Sequence, residues 1–120
     1  MLIVVVGPCG SGKSTLVARL QAAGYDARAV AQEHSVIPDL WRHGGEPDAL
    51  IYLDASPAVI AHRRRNDFPV WLYAQQVGRL RLARAHATLY LQTDRLDPAA
   101  VAAHALEHIR GLQRRKSEAA

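Results

Sequence analysis

The sequence predicts an α/β fold, three layers deep, in which a small parallel sheet of about four strands carries helices on both faces. Three observations predict it. Four short β runs, Leu2–Val6, Ala27–Gln32, Leu50–Leu53 and Thr88–Leu91, are each followed by a turn or loop and then a helical candidate. A glycine-rich turn joins the first run to the first helical segment. Two later segments open on a cap-then-proline pair, Ser56-Pro57 and Asp97-Pro98; this marks a helix start, because proline has no N–H to lose there and its φ is already helical.

The first run is continuously apolar, as a strand buried on both faces should be. It leads into GPCGSGKST, residues 7–15. The spelling Gly7-x-x-x-x-Gly12-Lys13-Ser14 is that of a phosphate-binding P-loop. Glycines let the backbone curl so that the N–H groups around Gly7, Gly10, Ser11 and Gly12 point inward, and the helix beginning near Gly12 adds its positive end. Lys13 then supplies a point charge to the outer phosphates, and the hydroxyls of Ser14 and Thr15 lie where the magnesium and phosphates of a nucleotide gather. Lys13 and Lys116 are the only lysines among 15 basic residues, so a chain that uses arginine almost everywhere has a lysine at the motif position.

Lys13 to Ala23 reads as a helix closed by Gly24, a natural C′ residue. The second β run follows, with Glu33 at its end. Residues 33–48, EHSVIPDLWRHGGEPD, form a long loop with an exposed-looking Trp41, read as a substrate loop rather than a disordered linker. The third run ends at Asp54. A helix from Ser56-Pro57 through about Arg64 comes next, then a single helix over Trp71–His86 with its apolar stripe at 73, 77 and 80, or at 72, 76 and 80 if Gln76 is allowed. After the fourth run, an Ala-rich helix opens at Asp97-Pro98 and ends near Gly111, leaving Arg114-Arg115-Lys116 in a solvated tail.

Residues 1–120 read as one domain. The longest apolar stretch is the six residues at the N-terminus, with no basic segment before it; neither a membrane span nor a signal peptide is expected, and the expected setting is cytoplasmic. A single cysteine, Cys9, excludes an internal disulfide and fits a reducing compartment. The spacing around His34 and His43 lacks the cysteine or acidic company that a structural zinc site needs, and both read as polar loop residues. The net charge of +4 suits polyanionic partners. Between Arg63 and Arg84 lie six arginines and one acid, Asp67, yet few aromatics are interleaved with them, which disfavours a nucleic-acid partner.

With these segments in view, the chain resembles the P-loop kinases of the shikimate, gluconate and adenylate kinase type. The resemblance rests on GPCGSGKST at 7–15, ALIYLDASPAVIAHRRR at 49–65, RLRLARAHATLYLQTD at 79–94 and LDPAAVAAHALEHI at 96–109. It implies the three-layer P-loop NTPase fold, ATP with Mg2+ as the bound nucleotide, and transfer of the γ-phosphoryl group to a small-molecule or nucleotide acceptor. It also implies that Arg63, Arg64 and Arg65 stand at the entry to a lid, and that the turn from Thr93 to Leu96, with Asp94, lies against the base. The chain departs from the family in lacking the helical acceptor-binding insert after the second strand, which only segment 33–48 stands to replace. A nucleotide-binding or slowly hydrolysing NTPase without an acceptor is therefore the alternative.

Phosphoryl transfer needs a second carboxylate to hold the magnesium water shell or orient the nucleophile. Glu33 and Asp54 both stand at the carboxyl edge of the sheet, where ligands of α/β folds collect. Asp54 has the apolar-run-then-Asp form of a Walker B strand; the resemblance favours Glu33.

Overall fold

The run Leu2–Val6 forms strand β1, and Ile3, Val4, Val5 and Val6 are all buried because neighbours cover both of its faces. The computed structural model describes residues 1–119. After β1 come α1 (Lys13–Ala22), β2 (Asp26–Ala29), β3 (Ala49–Asp54), α2 (Pro57–Arg64), α3 (Val70–Arg79), α4 (Arg81–His86), β4 (Leu89–Gln92) and α5 (Pro98–Ala119). Short 3-10 turns at Gln32–His34 and Leu40–Arg42 lie between β2 and β3. The strands form one all-parallel sheet in the order β2-β1-β3-β4. The chain is therefore α/β with helices on both faces of a four-stranded parallel sheet, as its alternating elements predict.

Successive side chains of a strand point to opposite faces, and the sheet sorts its residues accordingly. Ile3, Val5, Ile51 and Leu53 pack with Leu16 and Leu20 of α1 and Val101, Ala105 and Ile109 of α5. Val4, Val6, Leu50 and Tyr52 pack on the other face with Trp41, Leu80 and Ala83. Each large aliphatic side chain buried this way contributes about 1.5–3 kcal/mol relative to exposure. A smaller cluster of Ala55, Ile60 and Phe68 seats α2.

Several elements differ from the sequence reading. Strand β2 stops at Ala29, so Glu33 sits in the 3-10 turn beyond it. The segment 33–48 is anchored: Trp41 is buried at 2% exposure, and the fully buried Gln32 accepts from the Trp41 N–H and donates to the carbonyls of Ile37 and Arg79. The helix expected over 71–86 breaks at Leu80, whose φ of −94° and ψ of 1° leave the helical region. Leu80 is fully buried under the sheet, and the bend there lets α4 follow β3 while α3 reaches the glycine-rich loop. Finally, α5 runs past Gly111, because Leu112 packs on the core, Gln113 accepts from the Tyr25 hydroxyl and Lys116 pairs with Asp48 at 2.6 Å. Among the described residues no helix is long and apolar enough to cross a membrane.

Candidate functional site

The loop leaving β1 must turn sharply beside β3. A Cβ on Gly7 would stand 2.1 Å from the Leu53 carbonyl oxygen, so only glycine fits there. At the other end Gly12, with φ of 101°, is the N-cap of α1, and no side chain caps that helix. The N–H groups of its first turn have no intrahelical acceptors, and they concentrate positive potential at the loop. Ser14 and Thr15 are exposed on this turn, whereas Ser11 is buried with a hydroxyl that has no hydrogen-bond partner.

Lys13 folds back over the loop, donating to the carbonyls of Gly7 at 2.9 Å and Pro8 at 3.0 Å and pairing with Glu33 at 2.6 Å. Its partner is deeply buried, with 4% of the side chain exposed, and one carboxylate oxygen, Oε1, has no hydrogen-bond partner. Residues far apart in sequence thus meet: a cation and a carboxylate are brought together by the 3-10 turn that Gln32 holds in place.

Asp54 stands differently. Its Oδ1 accepts from the Tyr73 hydroxyl at 2.7 Å and the Ala55 N–H at 2.9 Å, and its Oδ2 accepts from the Tyr90 hydroxyl at 2.6 Å. Burial, reinforced by the bond to Asp54, pushes Tyr90 up to about 12 and moves Tyr73 in the same direction. Both phenols are neutral donors at neutral pH, and they occupy both oxygens of Asp54. Tyr90 also stacks near Tyr52 at 5.6 Å, with the Arg84 guanidinium 4.0 Å over its ring.

The three arginines at the end of α2 separate in role. Arg63 donates to the carbonyl of Gly10 and to both the hydroxyl and the carbonyl of Thr93, bracing the loop against the turn after β4. Arg64 lies 5.6 Å over the Phe68 ring. Arg65 takes the left-handed C-cap conformation of α2, with φ of 54°. Farther on, Arg79 donates to the Glu33 carbonyl and, with Arg81, lines a shallow groove beside Val36 and Pro38. Asp94 accepts from the Ser56 N–H at 2.8 Å; burial, the largest single influence, would raise its carboxyl, but the bonds from Ser56 and Gln92 and the charge of Arg63 together hold it below the usual range. Its carboxylate therefore serves the start of α2.

Next to the loop opens a cavity of about 280 Å³, bounded by Ser11, Gly12 and Thr15 on one side and by Arg63, Thr93 and Leu96 on the other. At the opposite end of the loop, Cys9 is held by Gln76 of α3, which accepts from the Cys9 N–H at 2.9 Å and donates to its sulfur at 3.3 Å. His34 Nε2 lies 3.2 Å from the same sulfur. The cysteine that sequence spacing does not bring to His34 thus comes from elsewhere in the chain, whereas His43 pairs with Asp39 at 2.9 Å. Sequence reasoning missed Gln32, Tyr73 and Tyr90. Gln76 carried one legible signal: it is a polar residue in register with Leu72 and Leu80 on a helix face, where only a hydrogen-bonded amide is tolerated. No protein-family model matches the chain, and no curated protein matches it either.

Proposed function

We propose that the protein binds ATP with Mg2+ at the Gly7–Thr15 loop and transfers the γ-phosphoryl group to a small-molecule or nucleotide acceptor. The observation that carries this reading is an uncapped, glycine-led helix start with Lys13 on one side and the cavity bounded by Thr93 and Leu96 on the other. Such a helix start favours phosphate, and the cavity is mostly apolar in its lining, as suits a base. Lys13 gives up the carbonyls of Gly7 and Pro8 in exchange for phosphate oxygens. Ser14 and Glu33 are the residues that would hold magnesium, directly or through its water, and the ion when bound neutralises charge on the migrating group. Asp54 is the poorer candidate, because two tyrosine hydroxyls already engage both of its oxygens. Arg63 keeps the loop and the base-side turn at a fixed separation, and Arg64 and Arg65 are the exposed cations nearest in sequence to it.

A second reading, an NTPase with water as acceptor, has one observation in its favour. Segment 33–48, the only stretch available to form an acceptor-binding region, is pinned to the sheet by Trp41 and Gln32. Calorimetry with ATP and magnesium tests the shared part of both readings: saturable binding that Lys13→Ala abolishes is expected, and unchanged affinity in that variant refutes the site. Following the γ-phosphate of ATP in the presence of a metabolite pool then separates them, since a kinase delivers it to a metabolite and an NTPase to water.

A further inference from the structure

Cys9, Glu33 and His34 come from two segments that are separated by the whole of α1 and β2, yet their sulfur, carboxylate oxygen and ring nitrogen all lie within 4.8 Å of one another. We propose that these three residues form a binding site for a thiophilic divalent cation of the zinc type, which shares Glu33 with the proposed nucleotide site but needs no nucleotide.

The chemistry of the donors selects the metal class. A thiolate, an imidazole and a carboxylate are the ligands zinc takes, whereas magnesium and calcium require oxygen alone. Zinc bonds of about 2.3 Å to sulfur and about 2.0–2.1 Å to nitrogen and oxygen place tetrahedral ligand atoms about 3.5 Å apart. The separations here, 3.2 Å from Cys9 Sγ to His34 Nε2 and 4.0 Å from His34 Nε2 to Glu33 Oε2, need only side-chain adjustments to reach that value.

A second feature points to a ligand independently of this clustering. Glu33 is buried at 3% exposure, and its Oε1 has no hydrogen-bond partner although Oε2 is paired with Lys13. A buried carboxylate oxygen without a donor costs on the order of 1–3 kcal/mol or more, and a cation that the carboxylate reaches by turning about its last bond removes that cost. Gln76 supplies the supporting shell: its amide grips both the N–H and the sulfur of Cys9, fixing the direction in which the sulfur points. His34 is 57% exposed, so an ion has a path in from solvent. Binding replaces the thiol proton by the metal, Cys9–SH + Zn2+ giving Cys9–S–Zn+ and H+. Thiolate and carboxylate together match the two positive charges of the ion, and Lys13 releases Glu33 Oε2 when the carboxylate turns to the metal. Three protein ligands leave a fourth position open to water or another small donor.

The test uses the intact protein without nucleotide, with cobalt(II) as a spectroscopic probe and zinc(II) as its competitor. Cys9 is the single cysteine, so a thiolate-to-cobalt charge-transfer band in the near ultraviolet reports this site alone. The expected result is such a band, saturating at one cobalt per chain, abolished by stoichiometric zinc, absent in Cys9→Ser and weakened more than tenfold in apparent affinity in His34→Ala. His34 lies on the surface, so that variant keeps the fold, which circular dichroism checks. Absence of the band in the wild-type protein overturns the proposal. So does a band that persists unchanged in His34→Ala, since the thiol would then bind metal without its neighbours.

Discussion

Lys13 is the residue on which most depends, and its surroundings change what its removal should do. A solvated lysine is cheap to delete, but this one is the counter-ion of a carboxylate that is almost wholly buried. Removing one partner of a buried pair strands the other, at about 3–5 kcal/mol, whereas removing both charges together costs far less. Lys13→Ala is therefore expected to lose ATP binding and also to lower the urea midpoint, and Lys13→Ala combined with Glu33→Gln should recover much of the lost stability; equal midpoints for the single and double variants would show that the pair is not coupled. The two carboxylates divide in the same way. Glu33→Gln is expected to reduce turnover by roughly tenfold to ten-thousandfold with ATP affinity largely kept, the span of losing a positioned acid-base or metal-orienting group. Asp54→Asn breaks a network of two tyrosine hydroxyls instead, and should cost about 1–3 kcal/mol in stability. A turnover loss confined to Asp54→Asn would reverse these roles.

Among the elements, those written in local chemistry were legible and those decided at a distance were not. The apolar run of β1, the glycine-led start of α1 and the Ser56-Pro57 cap of α2, where Ser56 Oγ accepts from the Val59 N–H at 3.3 Å, can each be read from a few adjacent residues. The bend at Leu80 cannot, because it answers to the sheet beneath it. The same is true of the last helix, which continues through Gly111 on the strength of contacts made by Leu112, Gln113 and Lys116. A glycine inside a helix is a standing cost, and a Cβ at Gly111 would meet only arginine side-chain atoms, the nearest at 3.6 Å. Gly111→Ala should therefore stabilise the protein by about 0.5–1 kcal/mol, visible as a raised melting temperature; a lower one would mean that α5 ends where the glycine suggests. In the candidate site, Lys13 and Ser14 could be named from spacing and Glu33 only from its place after the second β run and the family resemblance, while the partners of Gln32, Gln76 and Asp54 could not be named, since they lie across the fold.

At the scale of the whole molecule, Asp48 fastens the beginning of the chain to its last helix, accepting from the Leu2 N–H at 2.7 Å and from Lys116 at 2.6 Å. The hydrogen bond from Lys116, followed by that from Leu2, holds its carboxyl below the ordinary value of 3.8. A carboxyl depressed in the folded state adds stability above its unfolded value and loses it as the pH falls through the folded one. Wild type should accordingly exceed Asp48→Asn in stability at neutral pH, with the gap closing as the solution is taken below 3.8; a gap that stays constant in denaturant titrations down to strong acid would remove the ion pair from the account.

The placement of Trp41 has a consequence in optics. The chain has two tryptophans, Trp41 buried against the sheet and Trp71 at 68% exposure near the start of α3. In a Trp71→Phe protein the remaining indole sits in the middle of segment 33–48. Its emission should be blue-shifted and shielded from acrylamide while the segment is seated, and should redden and become quenchable when it lifts. Lifting of that segment, whether brought about by denaturant or by a bound acceptor, would be readable in real time from one native fluorophore.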